Sequence, residues 1–257
     1  MDKNNAKNGI RKQTVILLAV LILLATGTLT YFVFIPLGRH YYITHLDYEV
    51  YGGVTEDLKS NELFEDMQSG KSFCFLGDSI TKGTMTEYIP WYQPLKPYIK
   101  GKVSNLSQGG WKTGHLIANS KKIPKAQVYV VAVGINDVLF YDEEYAPATA
   151  SDYVALIEQL TANIRNINPS AKIYYVTPWP FLDFGDYCDK RAVQFRSALS
   201  EWCGSNGYVC LDPAPYIFQV MEKDGASKYM LNSFHPNAPE GVGLFSYAVL
   251  KAACGQD

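Results

Sequence analysis

Ser79 stands in the run Gly77-Asp78-Ser79-Ile80-Thr81, directly behind the apolar stretch Phe73-Cys74-Phe75-Leu76. Such a stretch predicts a buried strand that delivers a hydroxyl to the carboxyl edge of a parallel sheet, where open α/β sheets bind their ligands. A hydroxyl so placed is a candidate nucleophile. Acyl transfer then asks for a base to take its proton and for donors that meet the charge growing on the carbonyl oxygen. Three later segments offer both. Asn105-Leu106-Ser107-Gln108-Gly109-Gly110 ends in glycines, whose backbone N–H a ligand can approach without a side chain in the way. Gly134-Ile135-Asn136-Asp137, behind the apolar run Val128 to Val133, carries an amide that donates without titrating, and Asn232-Ser233-Phe234-His235-Pro236 carries an imidazole. Taken singly, each segment also reads as turn chemistry.

Together and in this order, the four segments resemble the four sequence blocks of the SGNH, or GDSL-type, hydrolases, over roughly residues 70 to 254. The resemblance implies a three-layer α/β/α, flavodoxin-like domain with a central parallel sheet of about five strands. It also implies catalysis through a serine acyl-enzyme. Carried over by position, Ser79 is the nucleophile and His235 its base; the oxyanion donors are the amide of Ser79, the amide of Gly110 and the side chain of Asn136. Gly110 is chosen over Gly109 because it falls five after Asn105, with a shift of one left open.

One position departs from the family pattern. Three residues before the histidine the family usually has an aspartate, and here that residue is Asn232. A carboxylate there holds the imidazole tautomer and stabilises the imidazolium; an asparagine accepts the same hydrogen bond but brings no charge. Three readings follow: a Ser-His dyad with a neutral orienter, a substitute acid such as Asp212 or Asp224, or a noncatalytic domain.

The elements that would position these residues are legible as alternation. Apolar, β-rich runs near 72–76, 102–106, 127–133, 172–177 and 207–211 are interleaved with helical periods. Tyr153, Leu156, Ile157, Leu160 and Ile164 repeat at helical spacing within 151–167; further helices are expected over 190–203 and from Pro239 towards Ala253. Strands alternating with helices predict a parallel sheet covered on both faces. A helix over Thr55 to Gln68 leads into the first strand. No internal repeat or low-complexity stretch is present.

The N-terminus is of a different kind. No charged residue lies between Lys12 and Arg39, and Val15 to Ile35 is almost wholly apolar, long enough to cross a hydrocarbon core of about 30 Å. Lys3, Lys7, Arg11 and Lys12 precede it, which by the positive-inside tendency leaves the N-terminus in the cytoplasm and residues 40 onward outside. The expected organisation is a cytoplasmic basic tail (1–12), a transmembrane helix or uncleaved signal anchor (13–36), a juxtamembrane connector and leading helix (37–70) and the hydrolase-like domain (71–257). A cleaved signal peptide is the rival, with small residues at Ala25-Thr26-Gly27, but its apolar core usually spans only about 7 to 15 residues.

The formal charge is −2, and the first twelve residues carry +3, so the remainder is acidic and lacks the electrostatic footprint of a nucleic-acid binder. Five cysteines follow the apolar segment, with Cys203 and Cys210 the first candidates for a disulfide outside the membrane. The four histidines lack the spacing of a zinc site, so the expected mechanism uses no metal and no cofactor. Trp91, Trp111 and Trp179, with Tyr88 and Tyr92, follow successive strands and could place rings at one cleft rim, a surface suited to sugar, with ordinary core and rim packing the alternative for any one of the tryptophans. The expected substrate is therefore an acylated, above all O-acetylated, carbohydrate of the cell surface. The same residues would serve an O-acetyltransferase, and Asn232 keeps a noncatalytic carbohydrate-binding or scaffold domain in view.

Overall fold

The computed structural model describes residues 18, 20–44 and 46–255. They fall into two units, one ending at Leu46 and the other running from Asp47 onward. In the first, residues 20–29 are helical, a π-helical turn spans Thr30–Phe34, and an α-helix spans Ile35–Thr44. Among the described residues no helix is long and apolar enough to cross a membrane. The span expected over 13–36 falls partly on residues 13–17 and 19, outside the described residues.

The second unit is built on a five-stranded sheet: β1 (Phe73–Gly77), β2 (Val103–Ser107), β3 (Val128–Ala132), β4 (Lys172–Val176) and β5 (Val209–Leu211). The order is β2-β1-β3-β4-β5 and every pairing is parallel. All residues of β1 and β3 are buried, as continuous apolar runs covered on both faces must be. The helices are α1 (Glu56–Lys59), α2 (Glu62–Gln68), α3 (Ser79–Lys82), α4 (Thr113–Ala118), α5 (Ile135–Leu139), α6 (Ala150–Ile167), α7 (Asp186–Asn206), α8 (Ala214–Asp224) and α9 (Glu240–Cys254). One set, α4, α6 and α7, packs together; α1, α2 and α8 gather on α9, so the sheet is the middle of three layers. This is the α/β/α architecture expected from the alternation.

Local chemistry explains the boundaries. α6 opens with a capping box in which the Thr149 hydroxyl accepts from Asp152 N–H at 3.2 Å and Asp152 Oδ2 accepts from Thr149 N–H at 2.9 Å. Tyr153, Ile157, Leu160 and Ile164 of that helix are buried, one stripe facing the sheet. α7 ends at Gly207, whose φ of +70° supplies the left-handed residue that terminates a helix. In sequence β1 leads to β2 on one side, whereas β3 lies on the other side of β1. The chain therefore reverses its winding between β1 and β3, and their carboxyl ends form the crevice where such sheets bind ligands. Register brings Gly77, Ser107, Ala132 and Val176 level, so the segments that follow leave the sheet side by side. Gly77 has no room for a side chain: a Cβ there would overlap the Ala132 carbonyl and the Thr81 hydroxyl.

Two expectations are corrected here. Trp91 and Trp179 are only 1% exposed and belong to the core, their rings 5.4 Å apart and edge to face, with Trp179 stacked on Phe245. Tyr92 is buried face to face against Phe75, leaving half-buried Trp111 and exposed Tyr88 as surface rings. Cys203 and Cys210 are free thiols, one in α7 and one in β5, with no disulfide between them.

Candidate active site

Ser79 opens α3. The preceding Asp78 caps that helix, its Oδ1 accepting from Ile80 N–H at 2.9 Å, so the turn after β1 is fixed by its own carboxyl group. Gly83, at φ +75°, closes the short helix at its other end. Ser79 is 5% exposed, and its Oγ lies 2.8 Å from Nε2 of His235, a residue 156 positions further along the chain.

His235 sits on a loop tied down by backbone bonds. Leu231 N–H donates to His235 O at 2.9 Å, Asn237 N–H to Tyr229 O at 2.8 Å, and Leu182 N–H, from the segment after β4, to Ser233 O at 2.8 Å. The side chain of Asn232 folds into this loop, where its Oδ1 accepts from Phe234 N–H at 3.1 Å and His235 N–H at 2.8 Å. Two facing donors fix which end of the amide is oxygen. His235 Nδ1 lies 3.2 Å from that Oδ1 and 3.1 Å from Nδ2. A proton on Nδ1 would donate to Oδ1 and leave Nε2 free to accept from Ser79. A proton on Nε2 would instead let Nδ2 donate to Nδ1. The amide supports both tautomers where a carboxylate would support only the first.

Among the described residues no substitute acid reaches the imidazole. Asp212 accepts from the Thr177 hydroxyl at 2.7 Å and from Ala214 N–H at 3.2 Å, while Asp224 accepts from the Tyr229 hydroxyl at 2.6 Å and pairs with Lys228 at 3.5 Å. Burial alone pushes the His235 pKa down to about 4, since no neighbouring carboxylate raises it.

Asn136, 2% exposed, lies in α5 after β3, and its Nδ2 donates to Trp111 O at 3.0 Å. One of its two amide protons is thereby engaged. Gly134 starts the helix at φ +139°, where a Cβ would lie 2.8 Å from the Tyr153 hydroxyl. Gly109 borders Ser79, since a Cβ on it would lie 4.0 Å from Ser79 Cβ; Gly110 follows at φ +75° with open space before it. Neither Ser79 N–H nor Gly110 N–H donates to a backbone acceptor among the described residues. Asn105 has a supporting place, with Nδ2 donating to Thr81 O at 2.8 Å and to the Tyr92 hydroxyl at 2.7 Å, which ties β2 to α3.

Two features of the site had no sequence signal beyond residue type. Asp78 and Asp137 are both fully buried; desolvation, reinforced at Asp78 by the neighbouring Asp137, pushes each carboxyl pKa up to about 7. Phe140, Phe184 and Phe234, from three separate loops, form a half-buried cluster of rings beside His235, with Phe234 4.2 Å from the imidazole, Phe184 5.7 Å and Phe140 6.4 Å from Phe234. Among the described residues no cluster of three or more His, Cys, Asp and Glu side chains could hold a metal ion.

Solved structures share this architecture. An acetylxylan esterase from Geobacillus stearothermophilus superimposes with a TM-score of 0.59 at 19% identity, over 75% of this chain and 97% of its own. An alpha/beta hydrolase from the metagenome of Lake Arreo gives 0.57 at 17%, over 73% and 97%. A member of the lipolytic G-D-S-L family from Veillonella parvula gives 0.55 at 16%, over 70% and 96%. At these identities the likeness is one of fold. No curated protein matches the chain in sequence. The profile of one family, however, runs through the segments that carry Ser79, Gly110, Asn136 and His235, matching residues 75–239, and the chain belongs to that family, the GDSL-like lipase/acylhydrolases.

Proposed function

We propose that the protein is a membrane-anchored, extracytoplasmic serine esterase that removes acyl groups, O-acetyl above all, from cell-surface carbohydrate. The observation that carries this reading is the 2.8 Å approach of Ser79 Oγ to His235 Nε2 at the carboxyl edge of the sheet. With Nδ1 protonated, Nε2 takes the hydroxyl proton as Oγ attacks the ester carbonyl. The amides of Ser79 and Gly110 and the remaining N–H of Asn136 receive the charge on the carbonyl oxygen. His235 then returns its proton to the departing alcohol, and water, activated by the same imidazole, releases the acid.

The alcohol leaves on the histidine side, where Phe140, Phe184 and Phe234 offer apolar ring faces. The C–H face of a sugar packs well on such surfaces, and a relative in fold is an acetylxylan esterase. The anchor rests on the uncharged run Val15 to Ile35, in which side chains such as Leu23 and Phe32 are about 70% and 69% exposed, a stretch of apolar surface that lipid would cover.

The test is acetate release by the full chain in detergent from 4-nitrophenyl acetate and from acetylated xylo-oligosaccharides. Release that disappears in Ser79→Ala supports the esterase. Equal rates in wild type and Ser79→Ala would sink it and favour a carbohydrate-binding domain. Acetyl found on an added glycan rather than in water would identify a transferase using the same residues.

A further inference from the structure

Arg191, in the first turns of α7, is 5% exposed, yet among the described residues it forms no ion pair. Its guanidinium is directed at backbone carbonyls instead. Nη2 donates to Asp137 O at 3.1 Å and to Pro147 O, and Nη1 donates to Ala148 O at 2.8 Å. The charge lies 4.3 Å over the Phe195 ring, and Nε has no partner. A buried cation without a carboxylate is a costly arrangement, and only the planar fork of an arginine can bridge acceptors on separate segments in this way.

What the fork bridges is specific. Asp137 follows Asn136 in α5, a helix of five residues, too short to hold its own position. Pro147 and Ala148 close the segment that leaves α5, so Arg191 fastens both of its ends. The middle of that segment is fastened to the Gly110 side. Lys112, 2% exposed, pairs with Glu143 at 2.8 Å, and Tyr145 packs 4.5 Å from His115. Lys112 follows Trp111, whose carbonyl receives the Asn136 amide.

We propose that Arg191 is a positioning residue for Asn136: by gripping the Asp137 carbonyl it aims the free Asn136 amide N–H at the carbonyl oxygen of a bound ester. This rests on the esterase reading above. The experiment is a double-mutant cycle on the full chain in detergent, with 4-nitrophenyl acetate as substrate and variants Arg191→Ala, Arg191→Lys, Asn136→Ala and Arg191→Ala/Asn136→Ala. Folding of each is checked by circular dichroism; should Arg191→Ala not fold, Arg191→Lys takes its place in the cycle. Arg191→Ala is expected to lower kcat by about 10- to 100-fold with KM held within about twofold, and to cost almost nothing further in the Asn136→Ala background. Millimolar guanidinium, admitted through the surface groove of about 750 Å³ that Ala148, Tyr187, Arg191 and Gln194 line, should restore part of kcat in Arg191→Ala, while ethylammonium should not. Losses that multiply across the two sites, with no rescue by guanidinium, would overturn the proposal and leave the esterase reading intact. Activity that survives Ser79→Ala would overturn both.

Discussion

Asn232 presents both ends of its amide to one atom: Oδ1 lies 3.2 Å and Nδ2 3.1 Å from Nδ1 of His235. The imidazole is thus held in place without being told which nitrogen should carry the proton. In a serine protease triad, replacing the aspartate by asparagine lowers turnover by about 10⁴-fold, largely through the wrong tautomer.

Asn232→Asp should therefore raise kcat by at least about tenfold, since a carboxylate accepts only from Nδ1–H and stabilises the imidazolium. Asn232 is exposed, so solvent screens part of the gain. Steady-state rates on 4-nitrophenyl acetate test this, and an unchanged kcat would show that the loop already imposes the productive tautomer.

Asn136→Ala is expected to lower kcat by about 10²- to 10³-fold, the usual cost of one lost oxyanion donor, with KM little changed. Ser79→Ala and His235→Ala should each remove most of the remaining turnover. The contrast matters because the Asn136 amide also donates to Trp111 O. A purely structural role would lower the melting temperature and leave kcat per folded molecule intact.

The acid limb of the kcat/KM profile should fall near pH 4 rather than near 6.5, because burial depresses the His235 pKa and the base stays unprotonated to lower pH. In Asn232→Asp the new negative charge should move that limb upward. A wild-type limb near 6.5 would mean that the imidazole is more hydrated than its burial implies.

Stability should depend on pH in a way set by three buried groups. Asp78 and Asp137, pushed up to about 7 against about 3.9 in an unfolded chain, bind more protons when folded, so they make stability fall as pH rises through that window. His235, depressed to about 4 against about 6.5, has the opposite sign and makes stability rise with pH across its own window. Two groups against one give a net decline from about pH 4 to pH 7. Asp137→Asn should flatten it, and thermal melts across that range would reveal a rise instead if the carboxyls were ionised in the fold.

The sheet was legible because its central strands are buried on both faces, and Phe73–Leu76 and Val128–Val133 can hardly be read otherwise. The helix over 150–167 announced itself through the spacing of Tyr153, Ile157, Leu160 and Ile164. The meeting of Ser79 with His235 could be anticipated only from the company of four motifs, for no local rule links residues 156 positions apart. Side-chain direction was less accessible. Trp91 and Trp179 carry the same indole whether they face a cleft or, as here, each other in the core. Arg191 reads in sequence as an ordinary polar helix residue, because its partners are carbonyls, which every residue type supplies.

The last strand of the sheet ends at Leu211, whereas the imidazole and α9 come later in the chain. A polypeptide emerging from the ribosome thus possesses its whole β framework, serine included, before the imidazole that meets the serine has been synthesised. Frame and site are separated in time by the order of translation, and a chain truncated after Asp224 would carry the sequence of every strand yet lack both His235 and α9, the helix on which α1, α2 and α8 gather.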